Sequence, residues 1–209
     1  AANHLRISRS HNEKGFEIFV YGDSGFSRDN LSIKRQALEV SKSIANNHKL
    51  DDENTFFLQQ NSEAIEMGSF HNDIVSLSNE NIFIAHEKAF QDRNKLSKLL
   101  KNLETKIDNF QFIEISDSEI PLKNIIDSYL LNSQLATNGQ NEMMLILPEE
   151  VKSYETCMAW LDKLKQISDI KLYDFVNIRQ SMMNGGGPAC LRLKVVLDEN
   201  ETKELNQNF

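Results

Sequence analysis

The residue in this sequence best suited to chemistry is a cysteine that follows a glycine-rich turn. Residues 181–197 read Ser-Met-Met-Asn-Gly-Gly-Gly-Pro-Ala-Cys-Leu-Arg-Leu-Lys-Val-Val-Leu, and the cysteine is Cys190. Consecutive glycines allow the backbone to turn sharply or to approach a ligand closely, and Pro188 then fixes one dihedral angle. The turn therefore presents a thiol, whose deprotonated form attacks electrophiles.

Apolar and charged residues alternate after the turn, which predicts a strand that starts near Cys190. Cys190, Arg192 and Lys194 then share one face, and the two cations favour the thiolate. The alternative is that Cys190 is a small buried hydrophobe, as most free cysteines are. The glycines match neither a phosphate-binding P-loop nor a dinucleotide fingerprint, because no Gly-Lys-Ser/Thr follows and a strand is predicted after them.

A histidine and an aspartate form the second candidate group, in the segment Phe-His-Asn-Asp at 70–73. In an extended conformation His71 and Asp73 project from one face, which suits acid-base chemistry. The alternative is a structural pair at a strand start, where the aspartate tethers a backbone amide and the histidine packs.

Arg35 is a third candidate, on the inward face of a helix predicted over 30–48. Its guanidinium matches a carboxylate bidentately, and the alternative is an arginine that extends its charge past an apolar stem to solvent. Two other residues are predicted to be structural. His86 lacks the second histidine of a zinc helix, and Cys157 falls on the apolar stripe of a helix.

Length, charge and cysteine content narrow the class of protein. The chain has 209 residues, 40% of them hydrophobic, which is enough for one large domain or two small ones. A net charge of −8 repels nucleic acid. No apolar run is long enough to span a membrane, and no signal peptide is recognisable at the start. Two cysteines in different settings do not form a disulfide framework, so we expect a reducing, cytoplasmic compartment.

Strand and helix patterns recur along the chain in the order strand, strand, helix, strand. This repetition predicts stacked modules of mixed α/β type. Strands are predicted over 16–21, 55–60, 70–78, 81–86, 112–115, 132–137, 142–147 and 170–175, and helices over 30–48, 90–107, 122–131 and 150–167.

Taken together, these motifs resemble the N-succinylarginine dihydrolases almost from end to end. The motifs that carry the resemblance are Asn184 to Cys190 (Asn-Gly-Gly-Gly-Pro-Ala-Cys), Phe-His-Asn-Asp at 70–73, Tyr21-Gly22, Arg35-Gln36, Gln59-Gln60-Asn61 and the opening Ala-Ala-Asn-His. The resemblance implies a pentein-type α/β propeller of ββαβ modules, with residues 1–209 as one catalytic domain holding roughly three of five modules.

The resemblance also implies a reaction. Cys190 would attack the guanidinium carbon of N2-succinylarginine and form an amidino-thioether, and His71 would act as acid and base. Arg35, Asp73 and Asn184 match substrate-binding positions. The implied products are N2-succinylornithine, two ammonia and carbon dioxide, in arginine catabolism. No metal or organic cofactor is implied.

Part of the family's machinery lies outside this sequence. Family members have a catalytic glutamate upstream of the opening Ala-Ala-Asn-His and a final segment beyond Phe209, so we expect residues 1–209 alone to show little or no turnover. We also expect some self-association through uncovered sheet edges. Two alternative functions stay open. One is a deiminase that releases one ammonia, and the other is a non-catalytic binding module.

Overall fold

The computed structural model describes residues 2–22, 36–138 and 140–191, and within them the chain forms three small sheets. Each sheet has three strands, in the orders β1-β2-β3, β4-β5-β6 and β7-β8-β9. The strands are β1 (His4–Ile7), β2 (Phe16–Tyr21), β3 (Thr55–Gln59), β4 (Ser76–Asn79), β5 (Ile82–His86), β6 (Gln111–Ile115), β7 (Gln134–Thr137), β8 (Met143–Pro148) and β9 (Ile170–Val176). The helices are α1 (Leu38–Asn47), α2 (Ser62–Glu66), α3 (Arg93–Lys106), α4 (Leu122–Ser128), α5 (Glu155–Ile167) and α6 (Arg179–Met183).

The three sheets repeat one topology. In each, the first two strands pair antiparallel and the second and third pair parallel. A parallel pair needs a long crossover, and α1, α3 and α5 supply it in the three modules. The ββαβ repeat predicted from the sequence is therefore present three times in the described residues.

The second module shows how the sequence builds this unit. Every residue of β5 (Ile-Phe-Ile-Ala-His) is buried, because the middle strand is covered on both faces. Asp92 caps the N-terminus of helix α3, and its side chain accepts a hydrogen bond from the Lys95 amide. Its buried side chains, Leu96, Leu99 and Leu103, recur at three and four residues. Burying each leucine stabilises the fold by about 1.5–3 kcal/mol.

The first strands of the modules lie side by side, β1 next to β4 and β4 next to β7. Polar side chains join them. Ser78 Oγ donates to the Arg6 carbonyl over 3.1 Å, and Asn79 Nδ2 donates to Thr137 Oγ1 over 2.8 Å. The loops that precede these strands therefore come together at one end of the modules.

One predicted helix starts later than expected. Helix α1 begins at Leu38, not near residue 30, because Ala37 is extended and the Gln36 carbonyl accepts a hydrogen bond from Gly22. Residues 23–35 lie outside the described part of the chain. The other predicted helices and strands up to residue 176 are present with shifts of a few residues, except at 70–75.

His86 is structural, as predicted. It is 1% exposed, and Nε2 lies 3.1 Å from the Ile120 carbonyl while Nδ1 accepts from the Lys88 amide at 3.2 Å. These two contacts fit the neutral ring with its proton on Nε2. The pKa of His86 is lowered, and the main cause is burial of the ring. The hydrogen bond to the Ile120 carbonyl opposes this shift.

Across the segments that the structure describes, none of the helices is both long and apolar enough to cross a bilayer.

Candidate active site

The segment that carries His71 and Asp73 is a helical turn, not the extended strand that the sequence predicts. His71 itself is extended, but Asn72–Ile74 form a 3-10 turn, and β4 starts only at Ser76. The Asn72 carbonyl accepts a hydrogen bond from the Val75 amide over 2.9 Å, which closes the turn. The prediction that His71 and Asp73 share one face of a strand is therefore wrong.

Residues at the start of the chain hold this turn in place. Asn3 Oδ1 accepts a hydrogen bond from the Asn72 amide over 2.9 Å, and the Ala2 carbonyl accepts one from the Asp73 amide over 3.0 Å. Asn72 and Asp73 are buried, at 0% and 7% exposure. The turn is thus fixed by contacts between the first and second modules.

The cysteine segment also differs from its prediction. After α6, Gly185 adopts a positive φ of +82°, and Pro188–Leu191 form a 3-10 turn that contains Cys190. Cys190 therefore does not start a strand, because its amide bonds back to the Gly187 carbonyl over 3.0 Å. Arg192 and Lys194 lie outside the described residues. Cys190 is exposed, so the interpretation as a buried hydrophobe does not apply to it.

The backbone at Gly187 lies so close to Asn132 and Tyr129 that only glycine fits there. A Cβ atom on Gly187 would lie 2.1 Å from Asn132 Oδ1 and 2.7 Å from Tyr129 Cδ1, both far inside van der Waals contact. Two residues further on, the Ala189 amide donates to the Asn132 carbonyl over 2.8 Å. The glycine segment therefore docks against the loop that precedes β7.

Asn132 joins the two candidate segments. It is fully buried, its Oδ1 accepts from the Cys190 thiol at 3.6 Å, and its Nδ2 donates to the Asp73 carbonyl over 3.3 Å. A second link runs through Phe70, because a Cβ on Gly185 would lie 3.7 Å from its ring and that ring packs against His71. The structure thus brings the thiol and the His71–Asp73 turn to one place.

Tyr129 is the other residue of this site that sequence reasoning missed. It ends α4 in the left-handed conformation, with φ of 57°. Burial raises its pKa most, and the neighbouring Cys190 and Asp73 raise it further. The sequence signal that could have revealed this loop is the short polar run Asn132-Ser133-Gln134 between Leu131 and Leu135. In the structure Asn132 and Ser133 are 0% exposed, which is unusual for polar residues.

Of the two remaining predicted site residues, Asn184 and Arg35, the structure describes only Asn184. Asn184 caps the C-terminus of α6, where its exposed side-chain amide donates to the Gln180 carbonyl over 3.0 Å. Arg35 lies outside the described residues. Its role and that of Asn184 therefore stay predictions.

The two cysteines are expected to react very differently with alkylating agents. Cys157 is 0% exposed in α5, and burial raises its pKa, whereas Cys190 is exposed. We expect iodoacetamide to modify Cys190 in the folded chain and Cys157 only after unfolding, because the reagent needs an accessible thiolate. Peptide mass spectrometry before and after adding urea checks this. Equal labelling of both cysteines in the folded chain would contradict it.

The site brings together a thiol from the turn after α6 and a histidine and a carboxylate from the single turn before β4. Within residues 2–22, 36–138 and 140–191, no three His, Cys, Asp or Glu side chains are grouped as ligands for a metal ion. A thiol, an imidazole and a carboxylate can respectively attack an electrophile through sulfur, transfer protons and bind a cation.

Sequence comparison finds the same family across the whole chain. A family profile described as succinylarginine dihydrolase matches residues 1–209. The N-succinylarginine dihydrolase of Pseudoalteromonas atlantica is 38% identical over 213 residues, and that of Idiomarina loihiensis is 37% identical over 215 residues. Both matches cover 100% of this chain and 48% of the relative. The chain spans about half the length of the curated relatives it matches.

A solved structure shares the fold. The crystal structure of ArgZ, an arginine dihydrolase from cyanobacteria, superimposes with a TM-score of 0.57 over 95% of this chain and 25% of its own. The sequence identity is 17%, so the likeness concerns the fold alone.

Proposed function

Because this chain belongs to the succinylarginine dihydrolase family, we propose that it carries the nucleophile and the acid-base histidine of an enzyme that hydrolyses N2-succinylarginine. The observation that supports this proposal best is the bridge through Asn132, which connects Cys190 to the Asp73 backbone by contacts of 3.6 and 3.3 Å. Groups that act on one carbon atom must lie within a few ångströms of it.

In the proposed reaction the Cys190 thiolate attacks the guanidinium carbon and forms a carbon-sulfur bond. One carbon-nitrogen bond then breaks, and ammonia leaves with a proton from His71. His71 next removes a proton from water, which displaces the sulfur and restores the thiolate. Each round exchanges one nitrogen on the carbon for an oxygen from water. After two rounds the remaining carbamate loses carbon dioxide and leaves N2-succinylornithine.

Substrate binding follows from charge. Asp73 is proposed to hold the cationic guanidinium by a charge-assisted pair, and Arg35 to hold a carboxylate of the substrate bidentately. Asn184 is proposed to orient a polar group of the substrate beside the nucleophile. The burial of the Asp73 turn favours this assignment for Asp73, because an ion pair is stronger when partly shielded from water.

The propeller architecture, the cellular compartment and the binding partners are also proposals. The side-by-side first strands support a pentein-type α/β propeller, of which residues 1–209 supply roughly three modules. Two free cysteines suit a reducing cytoplasmic setting, and the charge of −8 disfavours nucleic acid as a partner. Self-association through sheet edges is proposed on general grounds.

The test is ammonia release from N2-succinylarginine. It is measured with this chain alone, with the chain extended at both ends to the length of its relatives, and with Cys190→Ser in each. We expect little or no release from residues 1–209 alone. The extended chain should release two ammonia per N2-succinylornithine, and Cys190→Ser should abolish the release.

Other outcomes lead to other functions. One ammonia per substrate, with a ureido product, would indicate a deiminase. Release that persists in Cys190→Ser would exclude the proposed nucleophile, and no release by the extended wild-type chain would favour a binding module.

A further inference from the structure

We infer that Asn132 is a positioning residue for the nucleophile, whose side-chain amide fixes both where the Cys190 sulfur lies and where its proton points. This inference deepens the proposed function and rests on it for the role of the thiol. Asn132 sits between the thiol and the turn that carries His71, and its side chain is fully buried.

The orientation of the Asn132 amide is determined by its surroundings. The Asp73 backbone carbonyl can only accept, so the Asn132 atom that faces it over 3.3 Å must be the Nδ2 donor. Oδ1 then points the other way, toward Cys190 Sγ at 3.6 Å. Oδ1 can only accept a hydrogen bond. The resting thiol is therefore oriented with its S–H group pointing toward Oδ1, to which it donates a hydrogen bond.

The backbone around Asn132 fixes the position of this amide. The Asn132 carbonyl accepts from the Ala189 amide over 2.8 Å, immediately before the cysteine. Gly187 has no side chain, so its backbone approaches Oδ1 more closely than any other residue would allow. The titratable groups beside this contact are Tyr129 and Asp73, and Cys190 and Asp73 both raise the pKa of Tyr129.

The consequence is that one neutral side chain couples the nucleophile to the acid-base turn. A small displacement of Asn132 would move the sulfur relative to His71. It would also break the hydrogen bond from the thiol to Oδ1. A side chain that only filled space would affect stability without affecting ionisation of the thiol, so the pH dependence of thiol reactivity separates the two roles.

The experiment measures the rate at which iodoacetamide modifies Cys190, read by peptide mass spectrometry from about pH 6 to 10, the range in which thiols ionise. In Asn132→Asp a carboxylate replaces the amide oxygen beside the sulfur. We expect the pH of half-maximal alkylation to rise by about one unit, because a like charge disfavours the thiolate. The control Asn94→Asp makes the same charge change on the exposed surface of α3 and should leave the profile unchanged.

A second variant covers the case in which buried charge prevents folding, as circular dichroism would reveal. Asn132→Ala removes the acceptor without adding charge, and we expect the half-maximal pH to fall by about a few tenths of a unit, because one neutral hydrogen bond has a modest effect. An unchanged profile in Asn132→Asp, or an unchanged or raised one in Asn132→Ala, would overturn the inference. Alkylation needs no substrate, so this result is independent of whether succinylarginine is hydrolysed.

Discussion

Replacing Gly187 by alanine is expected to reduce kcat/KM for succinylarginine hydrolysis by about 100-fold or more, because misplacing a reacting group by about 1 Å has an effect of that size. The added Cβ would lie 2.1 Å from Asn132 Oδ1 and 2.7 Å from Tyr129 Cδ1. Those atoms must move apart, and Cys190 follows in the same turn. We also expect a loss of about 1–3 kcal/mol in the free energy of unfolding from overpacking.

The measurements are ammonia release by the chain extended to the length of its relatives and urea unfolding. The matched control is Gly186→Ala, one residue earlier. There a Cβ meets Ser181 Oγ at 2.9 Å, and a hydroxyl on a rotatable side chain can move away. Equal kcat/KM in the two variants would show that the close approach at Gly187 does not position the thiol.

The second large effect concerns His86 and the stability of the fold in mild acid. Burial holds the pKa of His86 below its ordinary value of 6.5. Between that lowered pKa and about 6.5 the unfolded chain binds a proton that the folded chain does not. The free energy of unfolding contributed by this residue is therefore fully present above pH 6.5 and falls as the pH decreases below it, by at most about 1.4 kcal/mol per pH unit.

The variant His86→Gln should remove this part of the pH dependence. It should also lower stability at neutral pH by about 1–3 kcal/mol, since the Ile120 carbonyl and Lys88 amide lose matched partners. Unfolding is followed in urea from pH 5 to 8. That pH range lies above the titration of Asp117, whose pKa is lowered from 3.8 mainly by the hydrogen bond from the Leu122 amide. The exposed His48→Gln is the control, and the prediction fails when both variants keep the wild-type slope.

The regular elements could be predicted from sequence because their residues carry a repeating pattern. Strand β5 is a continuous apolar run, and α3 buries Leu96, Leu99 and Leu103 at helical spacing. Such patterns reflect burial against a neighbouring layer. They do not depend on which distant residue supplies that layer.

The turns at the site could not be predicted in the same way. The turn at Asn72–Ile74 is held by Ala2 and Asn3, far away in sequence, and a short run of polar residues does not encode that contact. Cys190 sits in a 3-10 turn because the preceding glycines dock on Asn132, although the alternation after it suggested a strand. Motif resemblance made Cys190 and His71 candidates, which the structure places near one another, but Asn132 and Tyr129 belong to no recognised motif.

The arrangement of local sheets and long-range bridges has a consequence for biosynthesis. Each sheet is built from neighbouring segments, so it can form as soon as its own strands leave the ribosome. The contacts around the site instead join residues separated by 58, 59 and 69 positions. A nascent chain therefore carries folded modules before the Cys190 segment docks against them. A fault confined to these bridges would leave the modules folded while the candidate site stays unassembled.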